Sequence, residues 1–299
     1  MSHIYFSSYP DEISRCSRIY KGFSDAEPIV SAVFKAINNY FEKHPLNPLP
    51  IIDLEDSTKQ IRAGESINLN PALSTKDVVE LLKRISEAML VVNPQLKEIV
   101  EHLKGSFDLF LSDFPDKVSK KDIKDLRDLL IKETVLEQDL ATFLFSMMLS
   151  SFYRQQLESS SEVLRTDLWE GGDCPLCGEK PHFGMLRSED GAKVLECWLC
   201  GTRWVHTRIK CPFCNNEEQE DLGYFTAESN EICRVNFCKL CCQYYKVFDA
   251  RKFDADGALS LSIHNLATLA YDLLARKEGF TAGSGLDWVN ENEVSDRQD

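Results

Sequence analysis

Four pairs of cysteines, each with two residues between its members, constrain the chain most strongly. The pairs are Cys174/Cys177, Cys197/Cys200, Cys211/Cys214 and Cys238/Cys241. Nineteen residues separate the first pair from the second, and 23 separate the third from the fourth. A C-x2-C turn points two sulfurs at one spot, and two such turns across a hairpin form the tetrahedral S4 cage that Zn²⁺ and Fe ions take. The eight cysteines therefore predict two four-cysteine metal sites, each holding one Fe or Zn ion.

Disulfide bonds are the main alternative use of these cysteines, and they need an oxidising compartment. The first residues, MSHIYFSSYPDEIS, have neither the basic segment nor the apolar segment of a signal peptide. No apolar run approaches the ~18 residues that a membrane span needs. A thioredoxin-type motif normally uses one C-x2-C pair at the start of a helix, not four among hairpins. These features predict a cytoplasmic protein with no membrane span, in which the thiols are metal ligands.

The residues between the cysteine pairs favour short strands and tight turns. Gly178, Gly201 and Asn215 each follow the second cysteine of a pair, where the chain often needs a positive φ angle. The fourth pair departs from this rule, since Cys242 occupies the position that would suit glycine. β-Branched and aromatic residues are concentrated in six runs, which are HFGML, KVLEC, RWVHTRIKC, DLGYF, CRVNFC and QYYKVF. The pattern predicts two tandem β modules.

The sequence before the cysteines has the periodicity of α-helices. Apolar residues recur at helical spacing after Pro28 and again from Val78 to Val92, where Ser74 can cap the helix. The apolar run FLFSMMLSSFY predicts a central buried helix from about Val135 to Glu158. Met147 and Met148 in it fit a core better than an exposed client-binding surface.

The expected fold class is α+β, in three parts. An all-α domain covers 1–168, two small tandem β modules of the rubredoxin-like or zinc-ribbon kind cover 169–255, and a C-terminal helix with an acidic tail covers 256–299. The helix is expected from Ile263 to about Gly279. The sequence does not fix the oligomeric state.

Charge argues against a nucleic-acid-binding role. The chain carries a net charge of −14, and residues 170–252 have 11 basic and 13 acidic side chains, a net charge of −2. Phosphate backbones attract basic surfaces, so an acidic block is a poor match. The one basic cluster, Arg203, Arg208 and Lys210 with His206, is typical of a solvated strand face.

No arrangement of residues in the sequence indicates catalysis, and no catalytic or cofactor-binding residues are predicted. The chain lacks a glycine-rich phosphate loop, a G-x-S-x-G motif and an H-E-x-x-H motif. Cys16 is expected to be an ordinary core or surface residue, and Cys233 to face the core beneath its strand. His264 is expected to be a helix cap or a surface residue, not a metal ligand.

Several ordered motifs resemble the formate dehydrogenase accessory protein FdhE family. They are WEGGDCPLCG, CWLCGTRWVHTRIKCPFC, CRVNFCKLCCQYYKVF and HNLATLAYDLLARKEGF, and they extend from about Trp169 to Phe280. The N-terminal part is similar to the family only in being helical. Cys242 departs from the family pattern, which has a small residue there, so Cys242 stays open as an alternative to Cys241 for the eighth ligand.

The resemblance implies a cytoplasmic, non-catalytic maturation factor. Family members bind the catalytic subunit of a respiratory formate dehydrogenase before export and hold iron in rubredoxin-like sites, so the eight paired cysteines are the implied ligands. Two other functions stay open. One is a rubredoxin-like electron-transfer protein that uses iron centres with four cysteine ligands, and the other is a zinc-ribbon protein that binds nucleic acid.

Overall fold

The computed structural model describes most of the chain. The described residues are 9–47, 49, 53–71, 73–113, 117–119, 125, 128, 138–227, 230–252 and 260–284. Two predicted features fall wholly or largely outside these ranges. They are the acidic tail beyond residue 284 and the run SKKDIKDLRDLLIKE from Ser119, whose apolar spacing predicts a helix.

The N-terminal half is helical. Its α-helices are α1 (Tyr9–Ile19), α2 (Glu27–Lys43), α3 (Leu54–Arg62), α4 (Thr75–Val92), α5 (Lys97–Asp113) and α6 (Gln138–Val163). Ser74 caps α4 as predicted, because its side chain accepts a hydrogen bond from the Asp77 backbone N–H at 3.3 Å. Asp53 caps α3 in the same way through the Asp56 N–H at 2.9 Å.

The ends of two helices differ from the sequence-based expectation, and one helix was not expected. Helix α6 begins at Gln138 and continues to Val163, beyond the predicted end at Glu158. In the sequence, Gly105 predicts the end of a helix that begins near Pro94, but α5 continues to Asp113. Phe107, which is only 1% exposed, packs into the core and favours continuation of α5 over the weak helix propensity of glycine. Helix α3 was not predicted, because its nine residues are mainly polar.

The helical core forms where α4 and α6 meet α2. Val78, Leu81, Leu82, Ile85 and Met89 of the predicted stripe are buried in it. From α6 come Ala141, Leu144, Phe145, Met148 and Phe152, all buried. The expectation that this helix is central is confirmed, with Met148 buried in the core and Met147 half-buried against it. A two-residue strand, β1 (Leu73–Ser74), pairs with β2 (Lys117–Val118) at the edge of this region.

The C-terminal half is built on one mixed sheet of seven strands. They are β3 (Pro181–Leu186), β4 (Lys193–Cys197), β5 (Arg203–His206), β6 (Leu222–Ala227), β7 (Asn230–Cys238), β8 (Gln243–Asp249) and β9 (Thr281–Ala282). All six predicted strand runs contain strands, although the run from Arg203 ends at His206. The order across the sheet is β5-β4-β3-β8-β7-β6, and β9 pairs with β8.

A parallel pairing joins the two β modules into this sheet. Strands β3 to β5 form the first antiparallel module, and β6 to β8 form the second. Strand β8 lies parallel to β3, with Phe183 opposite Lys246 and Leu186 opposite Asp249. Strand β9 continues along the same edge of β8, where Tyr244 pairs with Ala282.

Two short helices, α7 (Leu261–Ala267) and α8 (Leu269–Lys277), replace the single C-terminal helix that was expected. Thr268 interrupts them with φ −120° and ψ 30°. Lys246 Nζ explains the interruption, because it donates to the carbonyls of Asn265 at 2.9 Å and Thr268 at 3.3 Å. Those carbonyls are therefore turned toward the lysine instead of continuing one helical ladder.

The α+β class is confirmed, since helices combine with a mixed sheet and both cysteine clusters lie in the C-terminal half. One apolar core contains Leu144 and Phe152 of α6 together with Leu176, Leu199 and Trp204 of the first β module. Residues from both sides of the predicted boundary at 168 and 169 thus pack together. The three-part division at 1–168, 169–255 and 256–299 stays a prediction about independent folding units.

Candidate metal centres

The first two C-x2-C pairs meet in one buried cluster. Cys174, Cys177, Cys197 and Cys200 have their sulfurs within 4.8 Å of one another. Sγ of Cys177 lies 3.5 Å from Sγ of Cys197 and 3.4 Å from Sγ of Cys200. Four sulfurs arranged tetrahedrally about 2.3 Å from an ion are about 3.8 Å apart. The cluster therefore needs only a small expansion to accommodate a metal ion.

The last two pairs meet in a second cluster. Cys211, Cys214, Cys238 and Cys241 also have their sulfurs within 4.8 Å of one another. Sγ of Cys211 is 3.8 Å from Sγ of Cys241, and Sγ of Cys214 is 3.7 Å from Sγ of Cys238. These separations match the tetrahedral value. Both predicted sets of four are therefore brought together, and each could hold one metal ion.

Similar backbone turns present the sulfurs in three of the pairs. The N–H of the residue after each pair bonds back to the first cysteine, as from Gly178 to the Cys174 carbonyl at 3.0 Å. Gly201 bonds to the Cys197 carbonyl at 3.1 Å, and Asn215 bonds to the Cys211 carbonyl at 3.1 Å. Each turn closes tightly enough to aim both thiols in one direction.

The residue after each pair has a left-handed backbone conformation, as predicted. The φ angles are 75° at Gly178, 74° at Gly201, 61° at Asn215 and 55° at Cys242. Glycine adopts this conformation without cost, whereas a cysteine adopts it with strain. Cys242 is exposed and lies outside the four-sulfur group, with its Sγ 3.5 Å from the Lys239 carbonyl. The structure thus places Cys241 in the second cluster, and the assignment of the eight cysteines as ligands stays a prediction.

The two clusters differ in their access to solvent. All four cysteines of the first cluster are buried, and they belong to the same apolar core as α4 and α6. Trp204, which is 1% exposed, lies in that core too. In the second cluster Cys214 and Cys241 are half-buried. The second centre is consequently the one that solvent and other molecules can reach.

Interactions among the buried sulfurs of the first cluster shift the thiol pKa values in opposite directions, with those of Cys177 and Cys197 well above the ordinary value. Burial pushes the pKa of the Cys200 thiol upward, but interactions with the sulfurs of Cys174, Cys177 and Cys197 outweigh it, and the pKa lies well below its ordinary value. Thr202 Oγ1, 3.2 Å from the Cys200 sulfur, acts in the same direction. Burial raises the pKa of Cys211 in the second cluster to about 11. Metal binding requires thiolates, so an ion would supply the charge that stabilises them.

His264 is not the cap or surface residue that was expected, because it is fully buried. Its Nε2 is 2.7 Å from Oε1 of Glu12, and its Nδ1 is 2.9 Å from the Tyr20 hydroxyl. Cys16, also fully buried, completes a group whose ligand atoms lie within 4.8 Å of one another. The 2.7 Å contact fits a shared proton. A tetrahedral ion bound to both atoms at about 2.1 Å would hold them further apart.

The remaining predicted residues have mixed outcomes. Cys233 is fully buried in the core between the sheet and the C-terminal helices, as expected. The basic cluster is only partly a solvated face. Arg208 is exposed, but His206 is 3% exposed, and Arg203 is ion-paired with buried Glu196 at 2.8 Å. Lys193, which sequence reasoning missed, is buried beside this cluster.

Sequence and structure comparisons agree on the relatives of this chain. The family profile described as FdhE, central domain, matches residues 173–208, which contain the first cluster. An FdhE homologue from Aquifex aeolicus is 30% identical over 238 residues, covering 77% of each chain. One from Pectobacterium atrosepticum is 26% identical over 263 residues, covering 85% of this chain and 77% of the relative.

A solved structure extends the agreement to the fold. The crystal structure of the FdhE protein from Pseudomonas aeruginosa superposes with a TM-score of 0.60, at 19% identity, and covers 96% of each chain. Within the described ranges, no helix is both long enough and apolar enough to cross a bilayer. From the identity and coverage of the Aquifex relative, together with the matching profile, the chain belongs to the FdhE family.

Proposed function

We propose that this protein is a non-catalytic maturation factor for a respiratory formate dehydrogenase, and that it binds the catalytic subunit of that enzyme in the cytoplasm. Membership of the FdhE family supports the proposal. The single structural observation that carries it is the contrast between a buried first cluster and a half-buried second cluster. In this role the first four-cysteine centre stabilises the fold, while the second shapes the surface that meets the client.

The eight paired cysteines are the proposed ligands of two ions, either Fe or Zn. Bound to four thiolates, such an ion contributes on the order of 10 kcal/mol to the folding of a small ribbon. The ion at the second centre would hold two knuckles rigidly, one around Cys214 and one around Cys241. Leu240, between the cysteines of the last knuckle, is 65% exposed and offers an apolar contact there.

The proposal is tested by co-purification from cells that contain the tagged catalytic subunit. The informative variant is Cys214→Ser/Cys241→Ser, which removes two ligands from the second centre. The matched control is Cys242→Ser, which changes a neighbouring exposed thiol outside the cluster. We expect the control to recover the client as well as the wild type does, and the double variant to lose most of the recovery while keeping its helical circular dichroism.

Equal recovery by the double variant and the wild type would mean that the second centre does not shape the binding surface. Failure of the wild-type protein to recover a correctly folded client would reject the maturation role. In both cases the metal content of each purified protein is measured, so that a loss of binding can be assigned to a loss of one ion.

A rubredoxin-like redox role is the second candidate, and the same half-buried sulfurs favour it. An iron centre with four cysteine ligands near the surface can exchange electrons with a partner. Protein purified anaerobically should then be coloured, with sulfur-to-iron charge-transfer bands that bleach reversibly on reduction. A colourless protein that contains only zinc would remove this candidate, because zinc has no redox chemistry.

A further inference from the structure

A cleft of about 540 Å³ opens beside the second cysteine cluster. Its floor is one face of β6, β7 and β8, and its wall is the segment 208–213 that links the two β modules. Cys211 and Cys238 reach the cleft from the cluster. The volume falls within the range of about 300 to 1,000 Å³ that is typical of sites for small molecules.

The register of the strands places polar and aromatic side chains on the floor. Tyr224 pairs with Asn236, and Asn236 pairs with Tyr245 on the other side, so the three side chains share one face. Arg234 is two residues before Asn236 and projects from the same face. The opposite face carries Cys233 and Val235, which are buried against the C-terminal helices. The sheet therefore has an apolar side and, at the cleft, a polar side.

Two arginines at the cleft form no ion pair with a described residue, although Asp249 attracts Arg234 electrostatically. Arg208 and Arg234 take part in no ion pair there, although the chain has a net charge of −14. The third cation, Lys210, is 3.3 Å from Glu217, whose side chain is 64% exposed. An exposed pair of this kind contributes little energy, so Lys210 remains able to serve an incoming anion.

Buried polar atoms in the cleft are also left without hydrogen-bond partners. They are Nε of Arg234 and Oδ1 of Asn236. A buried donor or acceptor without a partner costs about 1 to 3 kcal/mol. The guanidinium of Arg234 lies 4.6 Å from the ring centroid of Tyr224, and Tyr224 is 62% exposed. Both atoms are sealed from the open cleft, so the accessible groups there are the exposed ring of Tyr224 and the cationic side chains.

The wall of the cleft is held in place from beneath. Lys193 Nζ donates to the carbonyls of Arg208 at 3.2 Å and Lys210 at 3.1 Å, and the Tyr245 hydroxyl is 3.1 Å away. Three contacts of one buried side chain thus fix the linking segment against the floor. The cleft is consequently formed before any ligand arrives, which lowers the cost of binding.

We propose that this cleft binds a small organic phosphate that carries a planar ring, of about the size of a nucleoside monophosphate. Arg208, Arg234 and Lys210 take the phosphate, since guanidinium groups match phosphate oxygens in pairs. The ring of the ligand lies against the exposed side chain of Tyr224. This site is additional to the proposed maturation role and does not depend on it.

A competing use of the same cations is to neutralise the thiolates of the second centre. Four thiolates on one divalent ion carry a net charge of −2, and Cys211 and Cys238 adjoin the cleft. If the arginines serve the thiolates, replacing one of them lowers metal retention, and the wild-type protein does not bind an organic phosphate. Metal content and ligand binding must therefore be measured on the same preparations.

The test is isothermal titration of the metal-loaded full chain with AMP, adenosine and inorganic phosphate. We expect saturable AMP binding, at least tenfold tighter than binding of adenosine or of phosphate. Arg234→Gln should weaken AMP binding at least tenfold, and Arg234→Lys should weaken it less, with two ions per chain retained in both. Arg187→Gln, which removes an arginine already paired with Asp190, is the matched control and should bind AMP normally.

Two results would overturn the inference. One is the absence of saturable AMP binding at millimolar concentration by the metal-loaded wild type. The other is AMP binding that falls equally in Arg234→Gln and in Arg187→Gln, which would indicate a general charge effect. Loss of an ion in Arg234→Gln, with no AMP binding by the wild type, would assign the arginines to the metal centre instead. None of these results bears on the co-purification of the formate dehydrogenase subunit, which is measured separately.

Discussion

At the scale of single residues, Cys242 has a backbone conformation that a cysteine adopts only with strain. Its φ of 55° suits glycine, and its exposed thiol lies outside the second cluster. We expect Cys242→Gly to retain two ions per chain and to gain up to about 1 kcal/mol of stability, because the left-handed strain exceeds the entropic cost of glycine. Metal analysis and denaturant unfolding measure the two effects.

The matched variant for this prediction is Cys241→Ser, one residue earlier in the same turn. It should lose one ion per chain, because Cys241 is a member of the four-sulfur group. The reverse pattern, with an ion lost in Cys242→Gly and two ions kept in Cys241→Ser, would make Cys242 the eighth ligand.

Lys193 gives the second prediction at this scale. Burial lowers the pKa of its amine from 10.5 to about 7. Its Nζ donates to the carbonyls of Arg208 and Lys210 and to the Tyr245 hydroxyl. Between pH 7 and 10.5 the unfolded chain binds a proton that the folded chain does not, so this group makes the folded state more stable as the pH rises. Below pH 7 the cost of charging the buried amine is present in full.

Lys193→Met removes this pH-dependent contribution to stability. The free energy of unfolding of the wild type, relative to the variant, should increase by up to about 1.4 kcal/mol per pH unit between pH 7 and 10. The exposed Lys59, changed to Met, serves as the control and should give a difference that does not vary with pH in this range. A flat difference for Lys193→Met would show that the amine remains charged in the folded protein.

Sequence reasoning worked at this scale where one local rule was sufficient. The left-handed conformations at Gly178 and Asn215 follow from their position after a C-x2-C turn. Lys193 and His264 could not be predicted, because lysine and histidine are normally placed at the surface. Their burial depends on partners 15 to 252 residues away in the chain, which no local pattern specifies.

At the scale of secondary-structure elements, one buried ion pair joins β8 to α8. Lys246 Nζ is 2.6 Å from Asp272 Oδ2, and both side chains are at most 1% exposed. The second oxygen of Asp272 accepts from the Tyr244 hydroxyl at 2.8 Å. Asp272→Asn should destabilise the protein by about 3 to 5 kcal/mol, because it leaves a buried ammonium without its counter-charge. Thermal or denaturant unfolding provides the measurement.

Glu55→Gln is the appropriate comparison for this pair. Glu55 pairs with Lys59 at 2.9 Å, but both side chains are more than half exposed, so its loss should change stability by less than about 1 kcal/mol. If the two variants were equally stable, the amine of Lys246 would be satisfied by its two carbonyl partners alone.

The strands of the sheet could be predicted from the sequence, whereas the contacts that set the limits of the helices could not. The strands β3, β4, β6, β7 and β8 all lie in runs of β-branched and aromatic residues that identify strands locally. The division of the C-terminal helix at Thr268 depends on Lys246, which comes from a different element. Helix α5 likewise passes Gly105 because Phe107 packs into the core.

At the scale of the whole molecule, the two metal centres should lose their ions at different rates. Because the second cluster is half-buried and the first is enclosed by the helical core, a chelator should remove one ion well before the other. Release of the early ion, from the second centre, should leave the protease resistance of the helical part unchanged. Release of the late ion, from the first centre, should abolish it. Time-resolved metal analysis with limited proteolysis follows both.

Cys214→Ser identifies which ion leaves first. If the early ion belongs to the second centre, the variant should show only the slow release. A variant that still shows a fast phase and has lost the slow one would reverse the assignment. The regular spacing predicted both cysteine clusters, but it carried no information on their unequal burial. That difference arises because the first cluster shares one apolar core with α6, which the spacing of the cysteines does not specify.

The parallel pairing of β3 with β8 also sets the order in which a newly made chain can be completed. About 50 residues lie between Cys200 and the end of β8 at Asp249, so at 5 to 20 residues per second the ribosome needs roughly 2 to 10 s to supply them. During that interval β3 lacks the partner that covers its second edge, while the cysteines up to Cys200 have already been synthesised. A metal ion can therefore reach the first centre while that centre is still open to the cell, before the rest of the chain encloses it.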